Sequence, residues 1–349
     1  MSGVLPERDI TTQTSASGAG SPVSASAMAG QSLQNLGATG EDLKVRSLWR
    51  DAFRRLTRNK LSMLGLIIVG FTYVIAIIGP YITPYDYLEQ NLMEISQPPS
   101  ADHWLGTDNV GRDYLSRMLY AMRTAVLVSI MVPTISLMIG VLLGTIAAYR
   151  GGWTDGIIMR VTEVTMIIPV LLFAALINIS VKDPVANFMK SLADRTGWEF
   201  LTSTVYVDYV VVFGLLSLIM WESYARLSRG QVLSLRESDY VLAAESLGAS
   251  GRHVMIRHLI PNSLSPLIVA FTFGMSGAMT LEASLSFLGI GIQPPGASLG
   301  SMISSAMTSW RQYPHLIAIP AIVLGVITLA INFLGDGLND ALNPKQADK

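Results

Sequence analysis

The chain has 349 residues, half of them apolar and only 14% charged, with a mean hydropathy of +0.45; this is too apolar for an ordinary soluble domain and points to a membrane. Lys and Arg (24) nearly balance Asp and Glu (25), so the net charge of -1 gives no reason to expect a nucleic-acid partner. The absence of cysteine excludes disulfides, thiolate metal sites and thiol redox chemistry.

Residues 1–43 are mostly Ser, Ala, Gly, Thr and Gln, a composition that cannot bury enough surface to offset chain entropy and that predicts a disordered tail. The tail has no basic start followed by a compact apolar stretch and a small-residue cleavage site, so no secretory leader is expected. Residues 44–60 hold Lys44, Arg46, Arg50, Arg54, Arg55, Arg58 and Lys60 with Leu48, Trp49, Phe53 and Leu56 spaced between them. That pattern predicts a basic amphipathic helix on the membrane surface.

Six apolar segments follow, at 61–82, 124–149, 157–179, 207–225, 264–290 and 315–335. Each is long enough to cross a hydrocarbon core of about 30 Å. Gly70, Pro133, Pro169 and Pro320 are tolerable there because neighbouring helices satisfy freed backbone groups. In the third segment Arg160 and Glu163 lie one turn apart, either as a helix-end ion pair or facing the bundle interior. The predicted fold is all-α: an integral membrane six-helix bundle over 61–344, with a short C-terminal tail at 345–349. Placing the N-terminus inside puts 17 Lys and Arg residues on the inner side against 7 outside. The positive-inside rule therefore predicts cytoplasmic N- and C-termini and long outer loops at 83–123 and 180–206.

The inner segment 226–262 is too long and too patterned for a tether. Asp239 to Leu247 is rich in helix formers, Gly248 permits a turn, and a second apolar-periodic stretch closes at Pro261 and Asn262. Two short helices with a hinge are predicted, with small Ala243 and Ala244 open to the close approach of another protein.

The order Leu242-Ala243-Ala244, three residues, Gly248, then nine residues and His258-Leu259-Ile260-Pro261 resembles the EAA loop of ABC importer permeases, with Leu242 where that family has Glu. His103-Trp104-Leu105-Gly106-Thr107-Asp108, Gly111-Arg112-Asp113 and Ser116-Arg117 resemble the outer loop of the C-type subunit of the peptide and nickel branch, with Trp104 where Pro is usual. Tyr149 to Asp155, Leu281 to Gly289, Gln293-Pro294-Pro295 and Asn332 to Pro344 are similar to further family segments in the same order. The resemblance covers about residues 44–344. Its outer loop at 180–206 is longer than the family leads one to expect, either a tolerated insertion or a surface for a binding protein or substrate.

This resemblance implies a type I importer permease whose cytoplasmic coupling helix, carrying Leu242, Ala243, Ala244, Glu245 and Gly248 and closed by Pro261, docks on an ATP-hydrolysing subunit. It implies as partners a second homologous permease, two ATP-binding subunits holding ATP and Mg, and an extracytoplasmic substrate-binding protein, all at the cell membrane. The expected cargo is a peptide, with nickel, glutathione or oligosaccharide as alternatives.

From the residues themselves, Glu222 and Glu282 are candidates for the translocation path, because carboxylates inside spans usually face a cavity or a partner. Each also has a structural alternative: Glu222 can pair with Arg226 at four-residue spacing, and Glu282 can hold a packing contact. His253 and His258 have no Cys or carboxylate at ligand spacing, so no metal site is expected. No Gly-Lys dipeptide occurs, so the chain carries no phosphate-cradling loop and is not expected to be an ATPase itself. No paired midplane carboxylates support an ion-coupled secondary transporter.

Overall fold

The computed structural model describes residues 48–342, with side chains from Phe53 onward. The expected tails at 1–43 and 345–349 lie outside the described residues, as do Lys44 and Arg46. Ten helices of eight or more residues are described: α1 (Leu48–Arg58), α2 (Lys60–Ile82), α3 (Tyr114–Arg150), α4 (Gly152–Ile167), α5 (Val170–Thr196), α6 (Thr204–Arg236), α7 (Asp239–Ser246), α8 (Leu264–Phe287), α9 (Leu299–Ala306) and α10 (His315–Leu342). No β-strand occurs among the described residues, and α2, α3, α5, α6, α8 and α10 are long and apolar enough to cross a membrane.

The tightest seam joins α3 to α6, which run parallel. Ser136, Gly140, Gly144 and Ala148 recur every four residues on α3 and form a small-residue ridge. A Cβ on Gly140 would lie 2.6 Å from the Trp221 carbonyl oxygen, and one on Gly144 would lie 2.2 Å from that of Ala225. Such backbone proximity replaces the hydrophobic drive that is missing between helices in lipid. Hydroxyls stitch the same seam: Ser136 Oγ donates to the Ser217 carbonyl at 3.2 Å, and Thr124 Oγ1 pairs with Tyr209 OH at 2.8 Å. Bonds of this kind average about 0.6 kcal/mol in membranes, so close packing sets the geometry and the hydroxyls refine it.

Helix α10 closes the bundle by running antiparallel to α2, with Gly65 against the Ala330 backbone and Ser62 against Gly337. Ser276 Oγ of α8 donates to Asn332 Oδ1 of α10 at 2.7 Å. Leu56 of α1 is buried with Ala341 at the end of α10, which anchors the surface helix.

Several boundaries differ from the sequence prediction. The third span is not one helix over 157–179: it breaks at Ile168–Pro169, because the residue before a proline is pushed out of the helical region. The expected outer loop at 180–206 is mostly helix, since α5 continues to Thr196, is capped by left-handed Gly197 and is followed by the turn Glu199–Thr202. The inner loop begins at Glu237 and not at Arg226, because α6 runs through Arg236. Helix α9 was not foreseen; its Ser298 and Ser301 cap each other reciprocally, with Ser in place of the usual Glu or Gln partner.

Candidate functional site: the coupling segment, the outer clasp and the intramembrane carboxylates

The segment after α6 folds as expected, into two short helical pieces about a hinge. Ser238 precedes α7, and α7 ends in a paired turn: the Gly248 N–H donates to the Glu245 carbonyl at 2.9 Å and the Ala249 N–H to the Ala244 carbonyl at 3.1 Å. This closure needs a left-handed residue at Gly248, whose φ is +82°. The chain then passes through one turn at Gly251–Val254, a π-helical turn at Met255–Leu259 and Ile260–Asn262 before entering α8.

Two faces of this segment differ sharply. Val241, Val254 and Leu259 are fully buried against Ala148 and Val232 at the ends of α3 and α6. Tyr149 OH donates to Glu245 Oε1 at 3.0 Å and adds a polar tie. The opposite face holds Tyr240, Leu242, Leu247 and Ile256, with Leu247 89% exposed and Leu242 50% exposed. Ala243, Glu245, Gly248 and Pro261 are exposed on the segment and Ala244 is half-buried. The segment is thus seated on the bundle by one face and presents apolar side chains outward on the other.

At the other end of the bundle the outer loop ends at Asp113 and not at residue 123, because α3 begins at Tyr114, and it is held by a charged motif that runs into α3. Asp108 accepts from Arg112 Nε at 2.7 Å and lies 3.6 Å from Arg117 Nε, with all three side chains nearly buried. Asp113 caps α3 by accepting from the Ser116 N–H at 2.7 Å, and its other oxygen meets His103 Nδ1 at 2.9 Å. His103 Nε2 approaches Glu94 at 3.4 Å. Burial pulls the His103 imidazole down, but the hydrogen bonds to Asp113 and Glu94 and their charges outweigh it and leave the group above its ordinary 6.5.

Arg117 of this motif and polar side chains of α3, α5 and α6 hold a strap between α8 and α9. Arg117 Nη2 donates to the Gly296 carbonyl at 3.4 Å and Thr124 Oγ1 to that of Ala297 at 2.8 Å. Asp208 accepts from the Gln293 N–H at 3.0 Å, and Asn178 donates to the Ile290 carbonyl at 2.7 Å. Beneath the strap Glu282 is 1% exposed and accepts from Ser286 Oγ at 2.6 Å, while Ser286 Oγ accepts from the Ile292 N–H. Its surroundings are those of a packing contact.

Glu222 differs. The alternative pairing with Arg226 does not form within 4.0 Å among the described residues, and Glu222 Oε1 takes a long 3.5 Å contact from Ser223 Oγ. Its Oε2 is buried without a hydrogen-bond partner. Arg160 and Glu163 do pair, at 2.8 Å, on an exposed face of α4. Sequence reasoning missed the bidentate pair of Asp155 with Arg229, at 2.5 and 2.6 Å, which ties the start of α4 to α6; the separation of 74 positions hides it. No group of three metal-ligating side chains occurs among the described residues.

Comparison with known proteins agrees with this architecture. Residues 140–348 match the family described as the binding-protein-dependent transport system inner membrane component, and residues 47–99 match the N-terminal transmembrane domain of oligopeptide transport permease C. The oligopeptide transport system permease protein OppC of Bacillus subtilis is 35% identical over 86% of this chain and 91% of its own. The dipeptide permease DppC of the same organism is 37% identical over 86% of each chain. The glutathione transport system permease protein GsiD of Pectobacterium atrosepticum is 33% identical over 87% of this chain and 93% of its own. With this extent of similarity and six helices fit to cross a membrane, the chain belongs to the inner membrane components of binding-protein-dependent ABC transport systems, as a multi-pass permease subunit.

Proposed function

We propose that this chain forms one half of the translocation path of a peptide importer in the cell membrane. It pairs with a second, homologous permease, receives cargo from an extracytoplasmic binding protein, and docks on two ATP-binding subunits that hold ATP and Mg. The N- and C-termini and the coupling segment lie in the cytoplasm, consistent with the inner excess of Lys and Arg. The domain plan is a basic surface segment at 44–60, which holds α1, the six-span body at 61–344 and the coupling segment within 226–262.

The observation that carries this reading is the two-faced coupling segment. Buried Val241, Val254 and Leu259 make it move with α3 and α6, while exposed Leu242, Leu247 and Ile256 await the ATPase. Closure of the ATPase dimer pushes α7; because α7 is keyed to the α3–α6 seam, the push rocks those helices as a rigid unit and opens the path to one side at a time. Ala243, Ala244 and Gly248 let the ATPase approach closely, Glu245 holds Tyr149, and Pro261 starts the return into α8. Of the two carboxylates read as path candidates, we retain Glu222 and give Glu282 a packing role. Peptides are the favoured cargo because a dipeptide and an oligopeptide relative share 37% and 35% of their aligned residues with this chain; glutathione, the cargo named for a third relative, is the second reading.

The test is ATP-dependent peptide uptake by the co-expressed complex. Gly248→Leu forces a branched side chain into φ +82°, a strain of about 1–2 kcal/mol. Nothing lies within 4 Å of a Cβ there, so the bundle itself is untouched. Uptake should fall at least about tenfold with loss of ATPase co-purification and normal membrane insertion; Ala244→Arg should act likewise. Undiminished uptake in both variants would sink the proposal.

A further inference from the structure

Two ion pairs tie α6 to its neighbours near the two ends of its apolar stretch, one to α5 and one to α4. Lys182 meets Asp208 at 2.7 Å at one end, and Asp155 meets Arg229 at the other. At ~1.5 Å per residue, Asp208 and Arg229 lie about 31 Å apart along α6, matching a hydrocarbon core of roughly 30 Å. Arg226 sits one turn inside the Arg229 edge and is exposed.

Three further charges lie deeper. Counting from the Asp155–Arg229 pair, Arg160 and Glu163 stand about 8 and 12 Å inward along α4, and Glu222 about 10 Å inward along antiparallel α6. Glu222 precedes Arg229 by two turns and so shares the face of α6 that Arg229 turns toward α4. The Arg160 and Glu163 side chains are 78% and 55% exposed, and Glu222 Oε2 behind them is shut from solvent within this chain and has no hydrogen-bond partner. Helix α4 is also the least covered long element, with Thr162 its one buried residue. Lipid tails offer such charges nothing, so residues of this kind face water or a charged partner. A permanent, dry subunit interface fits poorly, since interface cores are depleted of charge and would desolvate the pair.

We propose that Arg160, Glu163 and Glu222 form a charged band in the wall of the water-filled translocation path, about a third of the way in from the coupling end, which receives the charged termini of the peptide cargo. A peptide presents one ammonium and one carboxylate, and the band offers carboxylates and a guanidinium at a single depth. This assignment rests on the importer reading above.

The chain has no cysteine, so single cysteines report directly. Glu163→Cys, Arg160→Cys and, on the exposed apolar face of α2, Ile67→Cys are introduced into the complete transporter in membrane vesicles and treated with a charged, water-soluble methanethiosulfonate. Only a thiol that water can ionise reacts quickly. Glu163→Cys and Arg160→Cys should react at least about tenfold faster than Ile67→Cys, and saturating transported peptide should slow them several-fold. Labelling no faster than at Ile67→Cys overturns the band, and fast labelling that peptide leaves unchanged overturns the cargo contact. ATP-dependent uptake by the cysteine-free parent is measured in the same vesicles: its absence overturns the importer reading, whereas intact uptake with unreactive variants overturns the band alone.

Discussion

The outer clasp at 83–123 and the coupling segment at 237–262 both carry family motifs rich in polar and charged residues, and the fold turns them in opposite directions. In the clasp His103, Asp108, Arg112, Asp113 and Arg117 are all less than 9% exposed and spend their hydrogen bonds on one another, on the α3 cap and on the strap at Gly296. In the coupling segment buried apolar residues fasten the element, and the motif positions at Leu242, Ala243, Glu245 and Gly248 face outward. The first motif is satisfied internally and acts as a structural device, while the second leaves its side chains open on the surface.

This contrast can be broken most forcibly at Asp108. Asp108→Ala leaves Arg112 and Arg117 buried without their carboxylate, a loss of about 3–5 kcal/mol. Thermal unfolding of the purified chain should shift down strongly and yield should fall; an unchanged midpoint would show that the clasp does not support the fold.

A smaller effect, confined to assembly, is expected at the coupling face. Leu247→Ser alters a side chain that is 89% exposed, so the thermal midpoint should move by less than about 0.5 kcal/mol equivalent. Association with the ATPase should weaken by roughly 1–2 kcal/mol, about five- to thirtyfold in affinity, in a binding titration. A destabilised chain with unchanged association would reverse the roles of the two regions.

The smallest effect is a pH dependence of the clasp. Because the folded-state pKa of His103 is raised, its contribution is fully present below the ordinary value of 6.5 and is lost as pH rises through the raised value. Glu94 is half-exposed, which keeps the effect small. The thermal midpoint should decline modestly between about pH 6 and pH 8, and His103→Gln should flatten that slope; an identical slope in the variant would assign the titration elsewhere.

Much of this molecule was legible from local pattern. Apolar runs of about 20 residues announce spans because unpaired backbone groups are intolerable in lipid. Gly248 announced a turn because only a residue without Cβ adopts φ +82° freely. The helix-forming run before it and the proline after it framed the coupling segment at nearly its observed limits. Boundaries were less legible: α3 outruns its apolar core by more than two turns at its start and α6 by about three turns at its end, since amphipathic or polar turns remain helical when neighbours cap or pack them.

Only the tertiary structure decided which polar residues are spent and which are free. Glu222 and Arg226 have the spacing of a pair and do not pair, whereas Asp155 and Arg229 are 74 positions apart and do. The two path carboxylates looked alike in sequence, yet Glu282 is sealed on Ser286 beneath the strap and Glu222 is left unsatisfied. The chain alone determined a six-span membrane protein with a hinged helical segment at Gly248, because those features follow from local hydropathy and backbone freedom; the permease family came from the resemblance of its motifs. Partner choice among buried charges was decided by helix packing, because the distances that set electrostatic and hydrogen-bond energies exist only once the α3–α6 seam has closed.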